Sequence, residues 1–198
     1  MFDNQRVIEL ENAQMIFMEH FLTIKEANFY LYELTEKLAW QQGEIMMFGK
    51  KVLEPRLTAW YGDAGKSYTY SGKKQEPMPW YESLLNLKNR IEATPSVFAR
   101  FNSVLCNYYR NGTDSMGYHA DDEKELGIDP VIASVNLGET RRFLFRQKHD
   151  KSHKFELLLT HGSLLIMQGA MQHHWQHAIP KEPKKTNSRL NLTFRWIH

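Results

Sequence analysis

His119-Ala120-Asp121, a distant His177 and the run Arg189-x-Asn191-x-Thr193-Phe194-Arg195 are the residues of this chain whose types and order could do chemistry. Two imidazoles and one carboxylate can occupy one face of an octahedral iron and leave the opposite face open for reaction. Two guanidinium groups on one strand can hold a dicarboxylate against that open face through paired, charge-assisted hydrogen bonds. The ordered set therefore points to oxygen chemistry on iron.

These groups must be brought together by the elements that carry them. In an extended segment His119 and Asp121 point to the same side. His177 lies on a different predicted strand, so the strands must fold against each other. In the last strand Arg189, Asn191, Thr193 and Arg195 share one face, and Leu190, Leu192, Phe194 and Trp196 share the other. An edge strand with its polar face in water shows the same alternation. Four polar groups in register after the His177 strand favour a polar pocket inside a roll. Other histidines compete for the metal: His161 lies upstream, His174 faces away from the His177 side, and His173 shares its parity but sits at the strand's mouth.

The composition is that of an ordinary globular chain, with 198 residues, 42% of them hydrophobic and 24% charged. One domain spanning 1–198 is expected, because no Gly/Ser-rich or Pro-rich linker interrupts it. The single cysteine, Cys106, excludes an intramolecular disulfide and a cysteine-based zinc site and suits a reducing compartment. Met1 to Leu10 has no apolar signal core, and no apolar run is long enough to span a membrane. A cytoplasmic protein, nuclear in a eukaryotic host, is the expectation. The net charge is only +2. Basic residues nevertheless cluster at Arg141-Arg142, Arg146, Lys148, Lys151 and Lys154, at Lys181, Lys184 and Lys185, and in the pairs Lys50-Lys51 and Lys73-Lys74. Each cluster alone reads as solvated surface; together they suit a phosphate-bearing partner.

Thr23-x-x-Glu26 is a capping box, and Ala27, Leu31, Leu34 and Leu38 recur behind it at helical spacing. A second helix presents Trp80, Leu84, Leu87 and Ile91 and ends near Thr94-Pro95. Between them, 45–72 reads as short strands and turns. From Phe101 the period becomes two, with strands expected over Ser103–Tyr109, Val131–Leu137, Arg142–Gln147, Lys154–Thr160, Ser163–Gln168, His174–Ile179 and Arg189–Ile197. Many short strands without intervening helices predict a mainly β (α+β) jelly roll with the N-terminal helices on one outer face. The expected division is 1–100 for the helices and a recognition region, and 101–198 for the jelly-roll core.

At Phe48-Gly49-Lys50, Tyr61-Gly62-Asp63-Ala64-Gly65, Tyr68-Thr69-Tyr70-Ser71-Gly72, Asn107-x-Tyr109, His119-x-Asp121-Asp122-Glu123, Ile132-Ala133-Ser134-Val135, His161-Gly162-Ser163-Leu164-Leu165, His174-Trp175-x-His177 and Arg189 to Arg195 the chain resembles the AlkB family of Fe(II)/2-oxoglutarate dioxygenases, and within it the members acting on duplex DNA. The resemblance implies a double-stranded β-helix. It implies His119, Asp121 and His177 as catalytic iron ligands, and Asn107, Tyr109, Arg189, Asn191, Thr193 and Arg195 as the 2-oxoglutarate pocket. Arg189 would meet the far carboxylate, with Arg195 nearer the metal. The implied activity is oxidative demethylation of 1-methyladenine and 3-methylcytosine, using Fe(2+), O2 and 2-oxoglutarate and releasing formaldehyde, succinate and CO2.

By the same resemblance the partner is alkylated DNA, duplex and single-stranded, with RNA as a further candidate; a monomer is expected. A base in a duplex must be flipped out to be reached. Tyr68 and Tyr70 would wall its pocket, while Asp122 and Glu123 would read an exocyclic amine or offset a cationic methylated base. Arg56 matches the family's pattern near this pocket. Met47, Phe48 and Gly49 correspond to an apolar finger that fills the gap left in the stack; a buried strand is the plainer reading of the same residues. The same iron core would also suit a demethylase of RNA or of a protein side chain. A nucleic-acid-binding module with a dead site would lack a ligand or an arginine, and none is missing here.

Overall fold

The alternation that begins at Phe101 builds two antiparallel sheets in the computed structural model, which describes residues 5–47, 49–66, 68–70 and 73–198, with the backbone alone described for 46, 47, 68–70 and 73–75. In chain order the strands are β1 (Gln5–Leu10), β2 (Ala13–Met18), β3 (Glu44–Met47), β4 (Lys50–Leu53), β5 (Leu57–Gly62), β6 (Tyr68–Tyr70), β7 (Lys73–Gln75), β8 (Ser103–Tyr109), β9 (Met116–His119), β10 (Ile132–Gly138), β11 (Arg141–Gln147), β12 (Lys154–Leu159), β13 (Ser163–Gln168), β14 (Trp175–Ile179) and β15 (Arg189–Arg195). Helices α1 (Ile24–Lys37) and α2 (Glu82–Glu92) precede β8, and the short α3 (Met171–His174) leads into β14.

The larger sheet has seven strands in the order β1-β2-β13-β10-β15-β8-β5, and the smaller has four, β12-β11-β14-β9. Their facing sides enclose one apolar cluster that includes Met15, Phe17, Phe143, Phe145, Leu165 and Trp175. The outer side of the larger sheet carries a second cluster, in which Val135, Leu164, Leu190, Leu192 and Phe194 meet Leu34 of α1 and Leu84, Leu87 and Ile91 of α2. This is the expected mainly β jelly roll with its helices on one outer face.

The placement decides what β15 can do. Its leucines and Phe194 face the helices, so Arg189, Asn191 and Thr193 must face the space between the sheets. All three are buried. The polar face of the last strand is therefore an interior face and not a solvated edge.

Some elements differ from expectation. The hairpin β1–β2 was not expected, and β2 and β5 complete the larger sheet, so the roll is not confined to 101–198. β2 is buried on both faces and shows no alternation to read. Its turn uses Asn12 with φ of 56°, a left-handed position that Asn tolerates. β15 ends at Arg195, and Trp196 lies beyond it, 41% exposed, outside the apolar face assigned to it. Arg141, placed with the basic surface clusters, is only 1% exposed: it donates to Glu182 and to the carbonyls of Asn111, Asp114 and Pro180.

The capping box of α1 forms as expected: Thr23 Oγ1 accepts from the Glu26 N–H, and the Glu26 carboxylate accepts from the Thr23 N–H. Arg90 of α2 also donates to Glu26 at 2.7 Å, tying the helices together. Arg90 and the Thr23 contacts hold the Glu26 carboxyl down at about 2 against an ordinary 4.5. A depressed folded-state value means this stabilisation is complete above the ordinary value and fades as pH falls towards the folded one. Glu26→Gln should thus lower stability at pH 7 and lose less than the wild type between pH 5 and pH 2, as read by urea unfolding across that range.

Candidate functional site

β9 and β14 pair with His119 directly opposite His177. The two rings lie 4.3 Å apart between centroids. Asp121 follows the end of β9, outside any ladder. One donor atom each from His119, Asp121 and His177 lies within 4.8 Å of the others, the one such cluster among the described residues. His119 Nδ1 sits 3.0 Å from the Gly117 carbonyl. Donating there fixes the tautomer and leaves Nε2 as the lone-pair nitrogen. Burial, and then the neighbouring His119, pull His177 down to about 3, so its imidazole is neutral and ready to act as a ligand. Burial pushes the Asp121 carboxyl up, but the Arg195 guanidinium, ahead of the neighbouring imidazoles, outweighs it and holds the group below its ordinary value. Arg195 Nη2 donates to Asp121 Oδ1 at 2.7 Å, while Oδ2 is buried without a hydrogen-bond partner.

A small cavity of about 50 Å³ opens beside this cluster. Its lining includes all of Asn107, Tyr109, Arg189, Asn191, Thr193 and Arg195. Thr193 Oγ1 donates to Asn191 Oδ1, and Asn191 Nδ2 donates to Ser134 Oγ, so these side chains hold one another in place. Arg189 is 1% exposed. Its Nη2 donates to Asn136 Oδ1 at 2.6 Å, and its Nε and Nη1 are buried without partners. Its guanidinium lies over the Tyr109 ring at 5.1 Å, and that of Arg141 lies 5.8 Å from the same ring. Burial draws Arg189 down to about 10, still charged at neutral pH. A buried guanidinium with donors to spare suits an anion.

A larger cavity of about 770 Å³ extends from the β3–β4 hairpin to Arg195 and shares Leu105 and Arg195 with the small one. Arg56 lines it, paired with the buried Glu54 at 3.4 Å. Arg56 Nε also donates to Asn107 Oδ1 at 2.8 Å, which leaves the Asn107 amide NH2 to the small cavity. A cleft of this volume takes a ligand the size of a nucleotide.

The histidines that competed for the metal have other partners. His161 Nδ1 accepts from the Gly138 N–H, and Nε2 faces Asn28 Oδ1. His173 meets Asp129 at 3.2 Å, and His174 packs near His149. Asp122 is paired with Lys148 at 2.6 Å, and Glu123 Oε2 is buried without a partner; neither residue lines the larger cavity. Gly49 turns the hairpin with φ of 76°. Phe48 lies outside the described residues, as do the side chains of Met47, Tyr68 and Tyr70. Ser134, Asn136, Glu54 and Gln172 were missed. For Ser134 and Asn136 the signal was present, as polar residues of one parity inside the apolar run Ile132–Gly138.

A model of the 2OG-Fe(II) oxygenase superfamily matches residues 14–195. The chain is 43% identical over 187 residues to alpha-ketoglutarate-dependent dioxygenase alkB homolog 3 of Homo sapiens, covering 90% of this chain and 64% of that protein. It is 40% identical over 213 residues to the Bos taurus protein of the same name, covering 98% of this chain and 73% of that one. The chain belongs to the AlkB family of 2OG-Fe(II) oxygenases. DNA oxidative demethylase ALKBH2 of Mus musculus is 39% identical over 183 residues, covering 87% of this chain and 75% of that protein. The solved structure of OsALKBH1 shares the fold, with a TM-score of 0.66 and 17% identity over 96% of this chain and 100% of that one. The chain spans just under two thirds of the length of its human relative.

The donors fit the two groups in the family's name: an imidazole pair with a carboxylate for Fe(II), and a buried guanidinium with donors to spare for a carboxylate of 2-oxoglutarate. Asn136→Leu should strip Arg189 of the Asn136 amide oxygen and leave one more of its buried donors unmet. Chemical denaturation should show a loss of about 1–3 kcal/mol; unchanged stability would mean that Arg189 has another acceptor.

Proposed function

We propose that this AlkB-family chain is a DNA repair dioxygenase that demethylates N-alkylated bases, 1-methyladenine and 3-methylcytosine among them. The observation that carries the reading is the junction of three features in one interior: the His119, Asp121 and His177 donors, the buried Arg189 with open donors, and a nucleotide-sized cavity reaching both through Arg195 and Leu105. Relatives at about 40% identity named as alpha-ketoglutarate-dependent dioxygenases and DNA oxidative demethylases support the same chemistry.

His119, Asp121 and His177 hold the iron, and Arg189, Asn107 and Tyr109 hold the keto-acid, with Asn191 and Thr193 shaping the wall beneath it. Bound there, Fe(II) with O2 and 2-oxoglutarate supplies the oxidant that hydroxylates the N-methyl carbon, with succinate and CO2 as co-products; the hydroxymethyl group then leaves as formaldehyde. The protein's own share is orientation and exclusion of water. Arg195 steadies the Asp121 carboxylate while lining both cavities. Glu54 and Arg56 border the base's path, and Arg56 turns the Asn107 amide toward the keto-acid. Phe143 and Phe145 flank His177 and keep its surroundings dry. Asp122 and Glu123 stand beside the metal loop, where a cationic methylated base would meet negative charge.

The β3–β4 hairpin stands apart from both main sheets and carries Lys50 and Lys51 exposed at its tip. That suits a probe of duplex DNA, with Met47, Phe48 and Gly49 as the wedge and the lysines on phosphate. Tyr68 and Tyr70 keep the role that the family resemblance gives them, as candidates to wall the flipped base. No helix among the described residues is long and apolar enough to cross a membrane; the proposed setting is the cytoplasm, or the nucleus in a eukaryote.

Methylated oligonucleotides should release formaldehyde only when iron, O2 and 2-oxoglutarate are all supplied. His119→Ala and Asp121→Ala should abolish release while DNA retention on gels stays close to wild type; full turnover in either would refute the ligand assignment. Phe48→Ala should reduce turnover of duplex substrates more than of single strands. An equal fall on both would rule out the wedge.

A further inference from the structure

Asp121 sits on a coil, residues 120–123, with no ladder hydrogen bonds to fix it. Something else must hold this carboxylate in place, because a site of this kind tolerates little displacement. Arg195 holds the carboxylate itself, through Oδ1 at 2.7 Å, and two further side chains outside the ligand set reach the backbone and the flank of the coil. Gln172 of α3, 1% exposed, accepts the Asp121 backbone N–H on Oε1 at 3.0 Å, and its amide nitrogen rests 3.9 Å from Met167 Sδ. Lys148, just past β11, donates from Nζ to Asp122 Oδ2 at 2.6 Å and to the Gln172 carbonyl at 2.8 Å. Its own backbone N–H donates to the His174 carbonyl at 2.7 Å. The contacts close a ring: Asp121 to Gln172, Gln172 to Lys148, Lys148 to Asp122, and back along the chain.

We infer that Gln172 and Lys148 are positioning residues that lock the Asp121–Asp122 coil into the conformation a divalent metal requires. The inference rests on the metal reading proposed above. The ring fixes the coil from two directions. Gln172 anchors the ligand's own backbone, and Lys148 prevents Asp122 from swinging and carrying Asp121 with it. Lys148 also fastens α3, whose chain runs on through Trp175 to His177, so one ammonium group ties together the segments bearing two of the three donors. The buried amide is spent at both ends: its oxygen takes the Asp121 N–H and its nitrogen meets sulfur. A core glutamine serving only to fill space would not need that oxygen. Lys148 pins Asp122 at the same time, so that carboxylate is a fixed strut before any base arrives.

The test uses the full chain, stripped of metal, with Mn(II) as an oxygen-inert probe followed by electron paramagnetic resonance and calorimetry. The wild type should take up one Mn(II) per chain. Gln172→Leu should weaken uptake about 10–100-fold, the range for loss of a contact that orients a metal ligand. Lys148→Met, a change at a partly exposed side chain, should weaken it in the same direction, and Lys148→Arg should restore most of it. Metal-free melting of the Lys148 variants should stay near wild type, which separates positioning from a general loss of fold. Should Gln172→Leu fail to fold, the Lys148 pair decides alone. Wild-type affinity in Lys148→Met, or in a folded Gln172→Leu, overturns the brace while leaving the metal reading intact. Failure of the wild type itself to bind Mn(II) overturns the metal reading and the brace together.

Discussion

A positive charge locked inside the roll governs this structure. Removing a guanidinium from water is expensive unless its donors are met and its charge is balanced. At Arg189 the protein supplies an amide oxygen from Asn136 and the face of Tyr109, and no carboxylate within ion-pair distance among the described residues. Two donors are left facing a small cavity. A fold that tolerates such a group in its core is built for an anion to complete it. The surrounding polar residues suit that need: Asn191, Thr193 and Ser134 bond to one another and hold that part of the wall in place. The same strand then presents Arg195 at the opposite end of the cavity, on the Asp121 carboxylate.

The metal donors are the second consequence of the roll. His119 and His177 face each other because β9 and β14 pair in that register, and the aromatic packing of Phe143 and Phe145 keeps the inner imidazole neutral. Asp121 alone depends on side chains from elsewhere for its position. The two cavities meet at Leu105 and Arg195, and Arg56 reaches from one into the other through Asn107. Under the proposed function, a base entering the larger space would lie against Arg195, which also lines the smaller one, and against Arg56, which donates to Asn107 in its wall.

Much of this was legible in the residues. The strands Ser103–Tyr109 and Ser163–Gln168 appear over the expected bounds, and the capping box marked the start of α1. The ordered histidines, aspartate and arginines named the interior polar face, because few other arrangements need two charged groups in register with Asn and Thr between them. What stayed hidden follows from physics that sequence spacing does not carry. β2 is buried on both sides and so has no period. Arg141 looked like half of an exposed basic pair, yet its partners are mostly backbone carbonyls brought in from distant turns. Gln172 and Lys148 act through atoms far away in sequence, and no local pattern distinguishes them from a surface amide and a surface charge.

The most direct measurement is an anaerobic calorimetric titration of 2-oxoglutarate into the metal-loaded protein, compared with Arg189→Met. One binding event per chain is expected for the wild type. Loss of a buried, charge-assisted pair should weaken the variant by about 30-fold or more. Equal affinity in the two proteins, with both folded and metal-loaded, would show that the enclosed guanidinium does not receive the keto-acid, and the account of this interior would fail.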